Sequence, residues 1–323
     1  GEAVELTEVV LQADLPENVN LAATQRAIVL LGKDGFDLLA KTLKAEDLAR
    51  FRAGLQAARK VGPEASATLV AVYPELSDER KGLVIAALSQ SKNASALPLI
   101  QQALKSESEA LQLQAVRALN ELGPSLAADE QLQVLGDLFA LMKPKVPELA
   151  SAAREGIVSI QASQPADKVS ASIEEKTLKL VESEALPQQL EGLKLAGECR
   201  LSSLTPTVLQ LVNHANRGVK QAAIEALGGT TSSQDLPKLI ALAVKNPDDE
   251  TASNALKAAC ARLPLEETAQ TLAQAMDGAS IEQQQLILNQ LAAIGGETAL
   301  KTMVAAARSN EDALQNTATD LLG

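Results

Sequence analysis

At ten places along the chain, two small or apolar residues stand three positions apart, with polar residues among and around them. The stretch VKQAAIEALG (219 to 228) superposes without gaps on LQLQAVRALN (111 to 120) and on LQNTATDLLG (314 to 323), and it matches AATQRAIVLLG (22 to 32). With Ala226 as the anchor, the equivalents are Leu30, Ala58, Ala87, Ala118, Gly156, Ala196, Ala258, Leu291 and Leu321. The steps between them are 28, 29, 31, 38, 40, 30, 32, 33 and 30 residues. Three positions before the anchors stand Ala27, Leu55, Val84, Ala115, Ala153, Leu193, Ala223, Ala255, Leu288 and Ala318, all of them apolar. Apolar residues at this spacing share one face of a helix. Each copy therefore predicts one amphipathic helix.

A period of this length leaves room for a second helix and two turns, the mark of an α-solenoid. The partner helices are legible too. ALPLIQQAL (96 to 104), TPTVLQLV (205 to 212) and DLPKLIALAV (235 to 244) each carry a proline about 20 residues before the anchor. Proline suits a first helical turn, where its missing N–H has no partner to lose. The turns SDE (77 to 79), SES (106 to 108), NPDDE (246 to 250) and SNED (309 to 312) supply capping residues and acids at the second-helix starts. The two long steps predict longer first helices at 128 to 143 and 166 to 183. Gly228-Gly229 and Gly295-Gly296 read as left-handed caps closing their helices.

The series apolar, Arg or Lys, two residues, Ala, two residues, Ala-Leu-Gly, fullest at 219 to 228, resembles the second helix of HEAT repeats. Phe51-Arg52, Arg80-Lys81 and Val219-Lys220 open the pattern, while Arg59 and Gly197 replace its usual Leu. The resemblance covers residues 18 to 323 and is least regular over 124 to 200. It implies an all-α, right-handed α-α superhelix of about ten helix pairs, an armadillo-like solenoid forming a single domain over 1 to 323. Looser resemblance to HEAT arrays of exported multidomain bacterial proteins, some joined to sugar-processing or haem domains, implies an extracytoplasmic location ahead of a cytoplasmic one. Leu321 and Leu322, apolar just before the final Gly323, and a first residue that is not Met imply a piece of a longer, processed chain.

Composition agrees with thin helical layers. Hydrophobic residues make up 46% of the chain but aromatic ones only 1%, with no Trp. The core must then be Ala and Leu, strong helix formers that let helices approach closely. The net charge of −12 and the lack of stacking rings exclude a nucleic-acid binder, which needs clustered cations. No apolar run approaches the roughly 20 residues of a membrane span. The charge favours basic or amphipathic partners.

Little here performs chemistry. His214 is the only histidine, and its neighbours Asn213, Asn216 and Arg217 are turn and capping residues, so a solvated turn histidine is expected. Cys199 and Cys260 fall two repeats apart, which implies free buried thiols rather than a disulfide. The glycines lack a following Lys-Ser/Thr, so no phosphate loop is read. Acid pairs such as Asp248-Asp249 and Glu266-Glu267 belong to helix starts. No cofactor is expected.

Binding is left to the surface opposite the apolar stripe, at one and five positions before each anchor. Arg117, Glu155, Glu191, Gln221, Glu225, Lys257 and Gln290 are its candidate concave-face residues, with Glu225 and Lys257 placed to pair across neighbouring repeats. The reading is a non-catalytic scaffold that recognises protein or peptide segments or adjacent domains. The alternative is a spacer in a larger exported protein. A bilin-lyase-like enzyme stands third, because four aromatic rings are too few to enclose a pigment.

Overall fold

The computed structural model describes residues 16–92, 94–142, 146–245 and 249–323. They form helices α1 (Glu17–Leu31), α2 (Phe36–Lys44), α3 (Leu48–Val61), α4 (Ser66–Val72), α5 (Asp78–Gln90), α6 (Leu97–Leu104), α7 (Glu109–Leu122), α8 (Ala128–Leu141) and α9 (Pro147–Ala162). There follow α10 (Asp167–Val181), α11 (Leu186–Glu198), α12 (Thr205–Leu211), α13 (Arg217–Thr230), α14 (Leu236–Lys245), α15 (Glu250–Cys260), α16 (Leu265–Gln274), α17 (Ile281–Ile294), α18 (Glu297–Ala306) and α19 (Asp312–Leu322). Short 3₁₀ turns join several of them, and no strand occurs among the described residues.

All ten anchors lie in the odd-numbered helices, and the even-numbered helices are the first members of the pairs. The long first helices predicted at the irregular steps are α8 and α10. Pro98, Pro206 and Pro237 sit in the first turns of α6, α12 and α14. The side chains of Ser108, Asn216 and Asp249 accept backbone N–H bonds at the starts of α7, α13 and α15. Ser77 and Glu311 stand at their N-cap positions without a side-chain cap bond. Residues 246 to 248 of the NPDDE turn lie outside the described residues.

The chain divides into two compact units, Gly1–Val169 and Ser170–Gly323. In the first, α5, α7 and α9 stack side by side, and α3 is backed by α2, α7 by α6, and α9 by α8. In the second, α11, α13 and α15 form the same kind of stack, with α13 backed by α12 and α15 by α14, and α17 packs on α19. A second helix with partners on three sides has a buried arc wider than one stripe.

Burial follows the stripe at its most constant position. All ten residues three before the anchors are buried, Val84, Ala115, Ala153, Leu193, Ala223, Leu288 and Ala318 completely. The anchors themselves are less uniform. Ala118 and Ala226 are 2% and 3% exposed, but Leu30 is 59% exposed and Ala258 is also exposed. In α1 the buried positions are Ala27 and Ile28, so Leu30 is turned off the seam with α3. Gly156 is an anchor without a side chain because a Cβ there would lie 2.2 Å from Asn120 Oδ1, whose amide donates across the repeat to the Ala152 carbonyl at 3.0 Å.

The double glycine at 228 and 229 is not a cap. Helix α13 continues through both to Thr230, and neither has a positive φ. A Cβ on Gly229 would sit 1.9 Å from the Gly197 carbonyl oxygen, and one on Gly228 would meet Ala258 Cβ at 3.1 Å. These glycines let α13 touch α11 and α15 backbone to backbone. Gly295 and Gly296, at φ 73° and 96°, do terminate α17 in the left-handed region.

Candidate functional site

The close approach of α11, α13 and α15 leaves a groove of about 600 Å³ over their C-terminal halves. Its floor is small: Gly197, Ala222, Ala226, Gly228, Gly229, Ala258 and Ala261. Its rim is charged: Lys194, Glu198, Arg200, Glu225 and Arg262. Ala258 is an exposed anchor because it borders this groove, where the two glycines offer no side chain to cover it.

Two arginines line it. Helix α11 ends with Arg200 N–H donating to Gly197 O (3.2 Å) and Leu201 N–H donating to Ala196 O (3.0 Å). That pair of bonds is a Schellman ending, which places Arg200 at φ 56°, in the left-handed position normally filled by glycine. Arg262, just past α15, donates from Nη2 to the Thr231 carbonyl at the end of α13. Its Nε–H is sealed from solvent and has no hydrogen-bond partner. Burial first, and then the charge of Arg200, hold the Arg262 guanidinium below its ordinary pKa. It remains a cation at neutral pH. No ion pair joins either arginine to a carboxylate among the described residues.

The other rim groups are partly engaged. Lys194 Nζ is 3.0 Å from Glu191 in the same helix. Glu225 accepts from Gln221 Nε2 at 3.1 Å, again within one helix. Glu225 and Lys257 therefore do not form the predicted ion pair across repeats; the partner four residues back on α13 takes the carboxylate instead.

Of the predicted surface residues, Arg117, Glu155, Gln221, Glu225 and Lys257 are exposed and Glu191 is half-buried. Gln290 is 6% exposed and its Oε1 has no partner, so it does not belong to an open face. Ala57 and Leu195, also one before their anchors, are fully buried, and Ala53 and Leu286 at five before are largely so. The stacked neighbours on both sides cover these flanks of the second helices. Within this set only Glu225 lines the groove; Arg117 and Glu155 belong to the other unit. Lys194, Glu198, Arg200 and Arg262 escaped the sequence reading. Their one sequence signal is the recurrence of arginine four residues after the anchors Ala196 and Ala258.

His214 is exposed, and its Nδ1 accepts the Asn216 N–H at 3.1 Å, as a turn residue would. Cys199 and Cys260 are free and buried. Burial pushes their thiols up to about 12 and about 11. Glu266 does more than open α16: its carboxylate accepts from Glu297 N–H and Thr298 Oγ1, tying α16 to α18. No set of three His, Cys, Asp or Glu is grouped to hold a metal ion, and no helix is long and apolar enough to cross a membrane, among the described residues.

Residues 187–260, which include most of the groove, match the family model for HEAT repeats. No curated protein matches the chain. Among solved structures it is similar to Kap121p bound to Pho4p, with a TM-score of 0.62 at 11% identity over 100% of this chain and 41% of that one. The karyopherin Kap121p bound to the extreme C-terminus of the phosphatase Cdc14p gives a TM-score of 0.63 at 10% identity, over 100% of this chain and 42% of that one. Kap95p, in a structure concerning its binding to RanGDP, gives 0.59 at 12% identity, over 99% and 51%. The chain thus spans about half or less of the length of these proteins, and at such identities the likeness is one of fold.

Proposed function

We propose that the chain, a HEAT-repeat α-solenoid, is a non-catalytic scaffold that seats segments of partner proteins, and that the groove across α11, α13 and α15 is a principal seat. The groove carries this reading: an open trough with a floor of small residues admits a main chain, and its charged rim gives that chain a register. The similar fold of Kap121p, seen with Pho4p and with the end of Cdc14p, supports it by analogy of architecture. The net charge of −12 draws basic segments toward the surface at large, acting over the Debye length rather than at a contact.

Cross-linking of the intact protein with its co-purifying proteins, read by mass spectrometry, tests the location. Lys194 on the rim and Lys257 on the adjoining α15 are the lysines expected to carry cross-links to a partner. Cross-links confined to lysines of residues 16 to 169, or none at all, would remove the groove from the reading.

A further inference from the structure

We infer that the groove recognises a carboxylate: an aspartate or glutamate side chain of an extended partner peptide, held between Arg200 and Arg262. This deepens the scaffold reading above and rests on it. Three observations bear on that spot.

The first is a mismatch of charge. Two guanidinium groups line one cavity, and no ion pair joins either to a carboxylate among the described residues. The charge of exposed Arg200 acts on half-buried Arg262, and an anion beside them relieves that repulsion. The second is anchoring. Arg262 Nη2 donates to the Thr231 carbonyl, which holds the guanidinium at the groove before any partner arrives. A carboxylate is the acceptor whose two oxygens match a guanidinium edge. The third is backbone conformation. Arg200 occupies a left-handed helix ending that glycine fills with less strain. Lys92 and Gln164 share the conformation; at Arg200 it sets the side chain beside the groove.

A peptide carboxylate fits this setting better than a phosphate polymer. Glu198 and Glu225 share the rim, and they would repel a ligand carrying charge at every residue. An acidic residue flanked by basic ones satisfies both signs, its carboxylate on the arginines and its cations beside Glu225. The small floor brings the peptide main chain close to α13, since no side chain larger than Ala rises from Gly228, Gly229 or Ala226.

The probe is a displayed library of random peptides selected against the intact protein. Selected peptides are then measured by fluorescence anisotropy on the parent, on Arg200→Gly and on Arg262→Gln. Peptides carrying Asp or Glu that lose roughly ten-fold or more in affinity on both variants, and also when their own acid is changed to the amide, are the expected result. Arg200→Gly keeps the fold, because glycine suits that helix ending, so loss there is not unfolding; a circular dichroism melt checks this. Peptides that bind the parent and both variants alike, or that lack an acid, overturn the carboxylate assignment and leave the scaffold reading standing. A library that yields no binder at all overturns both. Inorganic phosphate that competes with the acidic peptides is consistent with a single oxyanion seat, whereas phosphate binding without any acidic peptide selected would overturn the peptide as occupant.

Discussion

Replacing Gly229 by alanine tests whether α11 and α13 meet backbone to backbone. Two effects of opposite sign compete. Alanine is a better helix former than glycine by about 0.8–1.0 kcal/mol, and Gly229 lies inside α13, so propensity alone would stabilise the variant. Against this, the added Cβ falls 1.9 Å from the Gly197 carbonyl oxygen and 2.9 Å from its Cα. A carbon cannot stand closer than about 3 Å to that oxygen, so the helices must part by roughly 1 Å. There is no slack on the far side. A Cβ on Gly228 would already be 3.2 Å from the Ala255 carbonyl, so moving α13 off α11 drives it into α15. Overpacking of this kind costs about 1–3 kcal/mol. A backbone obstacle held on both sides belongs at the upper end, which leaves a net loss of about 2 kcal/mol after the propensity gain.

For a unit of this size, about 2 kcal/mol lowers the melting temperature by roughly 4–8 °C. Calorimetry or circular dichroism on the full chain reads it directly. Gly136→Ala is the control, because Gly136 lies inside α8 with nothing within 4 Å of the added carbon. It should raise stability by about 0.5–1 kcal/mol through propensity alone. Gly229→Ala melting at or above the parent would refute the close approach and the groove floor built on it.

Ala118→Arg or Ala226→Arg places a long cation at positions 2% and 3% exposed and should cost several kcal/mol; a variant melting like the parent would sink the repeat register. Arg200→Gly should stabilise the end of α11 by about 1 kcal/mol, and a lower melting temperature would show that Arg200 is held there by packing rather than strained. The thiols of Cys199 and Cys260, pushed up to about 12 and about 11, should resist alkylation at pH 8 in the native protein and react in denaturant, as a timed thiol-labelling assay would report. For the same two groups the folded pKa exceeds the unfolded one. The unfolded chain therefore loses these protons first, and their contribution to stability, full below the unfolded pKa near 9, should fall away as pH rises toward 11 and 12.

The helix pairs were legible because burial of one apolar face is a local, periodic demand. The position three before each anchor meets it in every copy, whichever neighbours that copy has. The face available for binding was harder to read, since it depends on what stacks alongside. A heptad-like wheel assigns Ala57, Leu195 and Gln290 to the outside, yet neighbouring second helices cover all three. Gly228-Gly229 departs from a helix cap for a related reason. Glycine pairs near a helix end usually free the backbone for a left-handed turn, but here the constraint comes from Gly197 on another helix and only the packed structure reveals it. The arginines left a trace, recurring four residues after two anchors, but nothing local says that repeats two apart can bring them to one cavity.

Geometry supplies that last link. Stacked helices stand 8–10 Å apart, so residues at equivalent positions two repeats away are separated by roughly 16–20 Å along the stack. Side chains as long as arginine span only part of that distance from each side. In α11, α13 and α15 the intervening helix presents glycine at 228 and 229, and the stack tightens there until backbone meets backbone. Arg200 and Arg262 line one groove over that close contact. Stability and recognition then share a cause, and Gly229→Ala should act on both. By spreading α11 from α13 it would move Arg200 away from Arg262 and weaken any acidic peptide seated between them. Arg200→Gly should weaken the same peptide while raising stability, so the two variants separate a lost fold from a lost charge.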